Sequence, residues 1–184
     1  MTVCVFDFES SHMLADAPVM EEMVFCEPVR KIKQFAIKGK IYTFATMGES
    51  TRANFLADLI REDAIKTFSI EERVERENIF KSVLGDSFAA VLCVVHDPDT
   101  LRTEVYEYYG TTLPVRVLPG PDNLAIIAQA GVKLALRSAM AAGASLDKAY
   151  QAVSQFDASL RMTDDHWYAE RVYVKVRDRA YQEC

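Results

Sequence analysis

The chain has 184 residues, of which 50% are hydrophobic and 26% charged, and a formal net charge of -6. That supplies a sizeable core for one domain; it offers no basic stripe for nucleic acid and no apolar run of the ~18 residues that a membrane helix needs. The start lacks the basic and apolar regions of a secretory leader. The four cysteines, Cys4, Cys26, Cys93 and Cys184, are widely spaced without a C-x-x-C pair, which predicts reduced thiols in a cytoplasmic chain and no zinc site.

The first 47 residues are strand-rich. Thr2–Phe8 and His12–Ala15 flank the polar Glu9-Ser10-Ser11, a hairpin pattern. Arg30–Ile37 and Lys40–Met47 flank Lys38-Gly39, a second hairpin, and Ile37, Tyr42 and Phe44 give it β-branched and aromatic character. At Gly48-Glu49-Ser50-Thr51 the period changes. Phe55, Leu56, Leu59 and Ile60 recur at helical spacing, and Ser50 or Thr51 is the expected cap. Ser69-Ile70-Glu71-Glu72 is a capping-box pattern that opens a second helix, which stops near Gly85.

Phe88–Val95 is nearly continuous in apolar residues and predicts a strand buried on both faces. Asp97-Pro98-Asp99 turns it back into Leu101–Tyr109, and a short strand Pro114–Leu118 follows. After Pro119-Gly120-Pro121-Asp122, the alanine-rich stretch Asn123–Ala142 predicts one long helix ended by Gly143. Ser145 then caps a helix through Phe156. A loop, Arg161–His166, leads to a last strand, Arg171–Val176. Helices thus fall in pairs between groups of strands, which predicts an α+β layered domain with helix pairs covering antiparallel sheets.

His12, His96 and His166 are scattered without metal-ligand spacing, so neither metal nor cofactor is expected. Thr2 is different. A threonine at a chain's N-terminus can act as a nucleophile because its own amine takes the hydroxyl proton, and that amine has a reference pKa near ~8. Removal of Met1 would expose it.

This element order, with Thr2-Val3-Cys4-Val5-Phe6 at its start, resembles the proteasome β-subunit family and especially the HslV-type peptidases, which are N-terminal-nucleophile (Ntn) hydrolases. Four further segments carry the resemblance: Leu14-Ala15-Asp16 at the end of the second strand; Val29-Arg30-Lys31-Ile32-Lys33, with Lys31 at the family's lysine; Lys40–Gly48 running into Glu49–Leu59; and Pro119-Gly120-Pro121 at the family's Gly-Ser-Gly turn. The resemblance implies a four-layer αββα sandwich, a single Ntn-hydrolase-like domain over residues 1–184. It implies a threonine-type peptidase subunit of a ring-shaped homo-oligomer acting on peptides or unfolded proteins, with an ATPase regulator among its partners. Thr2 would be the nucleophile, Lys31 would hold it and lower the local proton affinity, Asp16 would orient Lys31, and a backbone N–H near Ala45 would bind the oxyanion.

Thr2 and Asp16 are 14 residues apart, about two fewer than in the family. A two-residue deletion in a hairpin keeps each side chain on its face, whereas a register starting at Met1 would flip them; parity therefore selects Thr2. The serine of the Gly-Ser-Gly turn is replaced by Pro119 or Gly120. Of the acidic and serine pair that precedes the family's last strand, only Asp164 and Asp165 are present, with Trp167 near the serine position. These departures leave an alternative, a catalytically inactive structural or binding subunit that retains Met1.

Overall fold

Three strands of the two main sheets, Cys4–Asp7 and Leu124–Ile127 in one and Ala89–Asp97 in the other, are apolar on both sides, because each sheet is packed against the other sheet on one face and against helices on the other. The computed structural model describes residues 3–15, 19–21, 24–26, 31–156 and 172–175. A four-stranded antiparallel sheet is built from β1 (Cys4–Asp7), β2 (His12–Ala15), β10 (Leu124–Ile127) and β11 (Val172–Lys175), in the order β10-β1-β2-β11. A five-stranded antiparallel sheet runs β5 (Ile32–Ile37), β6 (Lys40–Gly48), β7 (Ala89–Asp97), β8 (Arg102–Tyr109) and β9 (Val115–Val117) in chain order. β3 (Val19–Glu21) and β4 (Val24–Cys26) form a separate two-stranded ribbon, which the sequence pattern did not signal.

The alternation of side chains sorts the core into three layers. Cys4, Phe6, Met13, Ala125 and Ile127 of the smaller sheet meet Ile32, Ala45, Ala90, Leu92, Val94 and Val105 of the larger one. On the outer face of the smaller sheet, Val5, Leu14, Leu124 and Ile126 pack under α3 (Ala130–Ala141) and α4 (Leu146–Phe156), through Val132, Leu136, Leu146, Ala149, Tyr150 and Val153. On the outer face of the larger sheet, Phe44, Ala89, Val91, Cys93 and Tyr108 pack under α1 (Ser50–Ile65) and α2 (Ile70–Leu84), through Ala53, Leu56, Ile60 and Phe80. This is the expected αββα sandwich. It explains the unbroken apolar run of β7, whose residues through Val95 are all buried.

Local chemistry sets the connections. Asp7 is buried and turns the first hairpin by accepting from Glu9 N at 3.0 Å and Ser10 Oγ at 2.5 Å. Lys38 and Gly39, with φ of 50° and 77°, make the two-residue turn of the second hairpin. The Ser69–Glu72 capping box is present in both directions, and Gly85 ends α2. At α1, however, the cap is Glu49 rather than Ser50 or Thr51. Its carboxylate accepts from Thr51 N at 3.0 Å and Arg52 N at 2.9 Å.

The predicted helix Asn123–Ala142 divides. Leu124–Ile127 is β10, pairing Ile127 with Cys4 and Leu124 with Asp7, and the helix begins only at Ala130. Leu-Ala-Ile-Ile is a short apolar run whose period favours neither state. The open edge of β1 decides it, since that edge needs hydrogen-bond partners in a buried position. Among the described residues no helix is long and apolar enough to cross a membrane.

One buried carboxylate ties α2 to the turn after β8. Glu77, 8% exposed, accepts from Thr112 N at 2.7 Å and Thr112 Oγ1 at 2.6 Å and pairs with Lys81 at 3.1 Å. Burial alone would raise its pKa, but the bonds from Thr112, Thr111 and Lys81 prevail and hold it below the ordinary value. A depressed carboxylate stabilises the fold above its unfolded pKa, and that contribution fades as pH falls through the folded pKa. Thr112→Val is expected to lower stability at pH 7 by about 1.5–3 kcal/mol, and the difference between variant and parent should shrink below pH ~4. Urea unfolding at several pH values measures both.

Gly48 offers a second test. It has φ +105°, and a Cβ built there would overlap the Phe88 carbonyl, which accepts from Glu49 N at 2.9 Å. At Gly39 a Cβ would meet nothing within 4 Å. Gly39→Ala should therefore cost only the ~1–2 kcal/mol of a left-handed backbone, and Gly48→Ala clearly more, read as the difference between their thermal melts.

Candidate active site

The site is assembled where the start of β1 crosses the end of β6. Cys4 is fully buried and its thiol donates to the carbonyl of Thr46 at 3.5 Å. The N–H of Thr46 in turn donates to the carbonyl of Lys31 at 3.3 Å. One step along the ladder, Ile32 pairs with Ala45. On the other side of β1, Cys4 is opposite Ala15. Three segments far apart in sequence thus converge: Cys4, two residues after Thr2; Lys31; and Ala45-Thr46. Ala15, the residue before Asp16, is a strand neighbour of the same cysteine.

Of the residues expected in the site, Lys31 and Ala45 can be placed, while Thr2 and Asp16 lie outside the described residues, as do Asp164, Asp165 and Trp167. Lys31 is 8% exposed. Its place in Arg30-Lys31-Ile32-Lys33 allowed either a solvated strand face or an inward side chain, and the structure buries it. Lys33 is partly exposed and donates to Asn54 Oδ1 of α1 at 3.1 Å. Ala45 is fully buried between Ile32 on β5 and Leu92 on β7. Past the Thr46–Lys31 bond, the β5 side of β6 has no strand partner among the described residues, so backbone groups at Met47 and Gly48 leave the ladder on that side.

The beginning of α1 is next to this point, and its dipole would draw an anion. Glu49 already occupies it. Burial pushes the Glu49 pKa up, but the N–H groups of Arg52 and Thr51 and the charge of Arg52 outweigh it and keep the carboxyl below the usual range. Arg52 also bridges to the Val83 carbonyl at 2.7 Å and to Ser87 Oγ, locking α1 to the end of α2.

Two residues that belong to no sequence motif lie on the same face. Val105 faces the other sheet, so the alternation of β8 turns Glu107 and Tyr109 the same way. Burial raises the Glu107 pKa against the opposing charges of Lys133 and Arg137 on α3. Burial, with the nearby Glu107 and Cys4, pushes Tyr109 up to about 12. The period-2 pattern of Arg102–Tyr109 carried this signal, but no motif marked it. The turn entering α3 is also displaced from its expected place. It is Ala128-Gln129, directly after the strand paired with Cys4, and not Pro119-Gly120.

No protein-family model matches the chain, and no curated protein matches it in sequence. Solved structures do match in fold. The Anbu (ancestral β-subunit) protein from Yersinia bercovieri superposes with a TM-score of 0.57 at 11% identity, over 89% of this chain and 76% of that one. The helical assembly of the Anbu complex from Pseudomonas aeruginosa gives 0.57 at 12% identity, over 88% and 76%. The Gly-1 mutant of Anbu from Hyphomicrobium sp. strain MC1 gives 0.56 at 11%, over 74% of this chain and 64% of that one, so the chain spans less than two thirds of that relative. The expected tie to the HslV-type peptidases is therefore corrected: the structures it matches are Anbu proteins, a distinct proteasome-like group. At 11–12% identity these matches carry the fold and not the individual residues on which that expectation rested. The chain has the proteasome-like Ntn fold that these proteins share.

Proposed function

We propose that the chain is a threonine-type peptidase subunit of a proteasome-like, ring-shaped homo-oligomer, folded as one Ntn-hydrolase-like domain over residues 1–184 and acting in the cytoplasm once Met1 is removed. The observation that carries this reading is the convergence of Cys4, Lys31 and Ala45-Thr46 through the Cys4–Thr46 and Thr46–Lys31 hydrogen bonds. The assembly is supported by the fold shared with the Anbu protein of Pseudomonas aeruginosa, whose structure is a helical assembly.

In this mechanism Thr2 Oγ attacks the peptide carbonyl while its own amine accepts the hydroxyl proton. A carbon–oxygen bond forms, and the oxyanion is held by a backbone N–H near Ala45, a kind of donor worth about 3–4 kcal/mol. The carbon–nitrogen bond then breaks, the leaving amine takes the proton, and water hydrolyses the ester. Lys31 supplies positive charge that favours the deprotonated nucleophile, and Asp16 orients Lys31. Peptides or unfolded chains are the substrates, and an ATPase that delivers them is a partner to be sought.

Two measurements on the purified protein test the reading. Intact mass should show loss of Met1. A peptide epoxyketone, which needs both the hydroxyl and the free amine of a threonine, should leave one adduct that maps to Thr2. Thr2→Ala should show no adduct, and Lys31→Ala should slow labelling by on the order of 100-fold, as loss of a preorganised electrostatic contact does. Retention of Met1 with no adduct overturns catalysis and leaves the fold as a structural or binding subunit.

A further inference from the structure

At the end of the larger sheet where β6 departs for α1, one row of side chains crosses three strands. Met47 on β6 is opposite Ala90 on β7, and Ala90 is opposite Tyr109 on β8. Ala90 and Met47 belong to the layer between the sheets, so the row faces the smaller sheet. Phe88, just before β7, packs against Tyr109 with ring centroids 6.2 Å apart and planes at 45°. The two rings nevertheless remain 46% and 42% exposed. The next row is Ala45, Leu92 and Glu107, beside the Cys4–Thr46 contact. Tyr109 lies two strand spacings from Met47, or ~10 Å, at the same end and on the same face as the candidate active site.

We infer that Phe88 and Tyr109 form the wall of a binding site for one aromatic or large aliphatic side chain of a peptide, held beside the residues proposed to cleave it. Its place next to Thr2 rests on the proposed function; the binding itself does not.

Area argues for a single side chain over a second copy of the chain. Phe and Tyr bury 150–250 Å² each when covered, so two half-exposed rings offer on the order of 200 Å². Leu113 and Val115 are also exposed on the adjoining edge, but the sum stays well below the ~800 Å² per partner of a stable protein interface. Paired rings suit an apolar side chain through offset or edge-to-face contact. Glu107, half-buried in the next row, supplies an acceptor for a peptide N–H.

Acetylated dipeptide amides ending in Phe, Leu, Gly or Arg, titrated into the intact protein by NMR or calorimetry, test this. Phe and Leu should bind at least about tenfold more tightly than Gly and Arg. Phe88→Ala and Tyr109→Ala should each abolish that preference, while Tyr109→Phe keeps it and Leu101→Ala, at an exposed hairpin tip, leaves it unchanged. Thermal melts of all four variants check folding. Equal affinity for the four peptides, no binding at millimolar concentration, or a preference that survives both alanine variants overturns the inference. So does a change in assembly mass without a change in peptide affinity, which would place the rings against a second copy. Epoxyketone labelling separates the two readings. Side-chain-selective binding without a Thr2 adduct removes the nucleophile and leaves this site, whereas an adduct formed without regard to side chain removes this site alone.

Discussion

The packing of one sheet face to face on another governs this molecule. Each sheet also carries a helix pair on its outer face, so the central strands have no solvent side. Cys4 and Phe6 project into the space between the sheets, while Val3 and Val5 project under α3 and α4. Ala90, Leu92 and Val94 do the same against Ala89, Val91 and Cys93 on β7. Apolar burial stabilises at roughly 25 cal/mol per Å², and a strand that buries both faces contributes twice over. The cost is that every polar group drawn into these layers needs a partner. Asp7, Thr46, Glu77 and His96 are buried, and each has a bonding partner at a turn, on a neighbouring strand or, for Glu77, in the Thr112 loop.

The same packing brings the candidate site together. β1 belongs to one sheet and β6 to the other, so the Cys4–Thr46 hydrogen bond crosses the central layer. Lys31 is tied to the far side of β6 through Thr46. A chemical site formed here depends on the distance between the sheets, and that distance depends on side chains such as Phe6, Met13, Leu92 and Ile127 that take no part in chemistry. The turn from β6 into α1 is equally constrained. Gly48 lies against the Phe88 carbonyl, and Glu49 consumes the first amides of α1. The neighbourhood is thus held by the Gly48–Phe88 backbone contact and by the Glu49 and Arg52 side chains.

Much of this was legible in the chain. Both hairpin turns, the Ser69–Glu72 box, the stop at Gly85, and the doubly buried β7 follow from short-range chemistry, since turn residues, caps and period act within a few positions. Besides the β3–β4 ribbon, three features escaped. The Leu124–Ile127 run was read as helix because only the open edge of β1, more than 100 residues earlier, makes it a strand. The α1 cap fell to Glu49 because a longer side chain reaches the same amides as a serine would. Glu107 and Tyr109 carried no motif, and their importance comes from facing another sheet.

By itself, the sequence determined the fold class and the pairing of helices between strand groups. These are local or periodic properties, written in residues close together in the chain. Tertiary structure decided that Lys31 is buried, that Cys4 lies against Thr46, and that two exposed rings stand at the end of the row from Met47. Each of those facts joins residues separated by dozens of positions. Contacts of that kind depend on which strand edges and faces are left open after the others have paired, and no window along the chain contains that information.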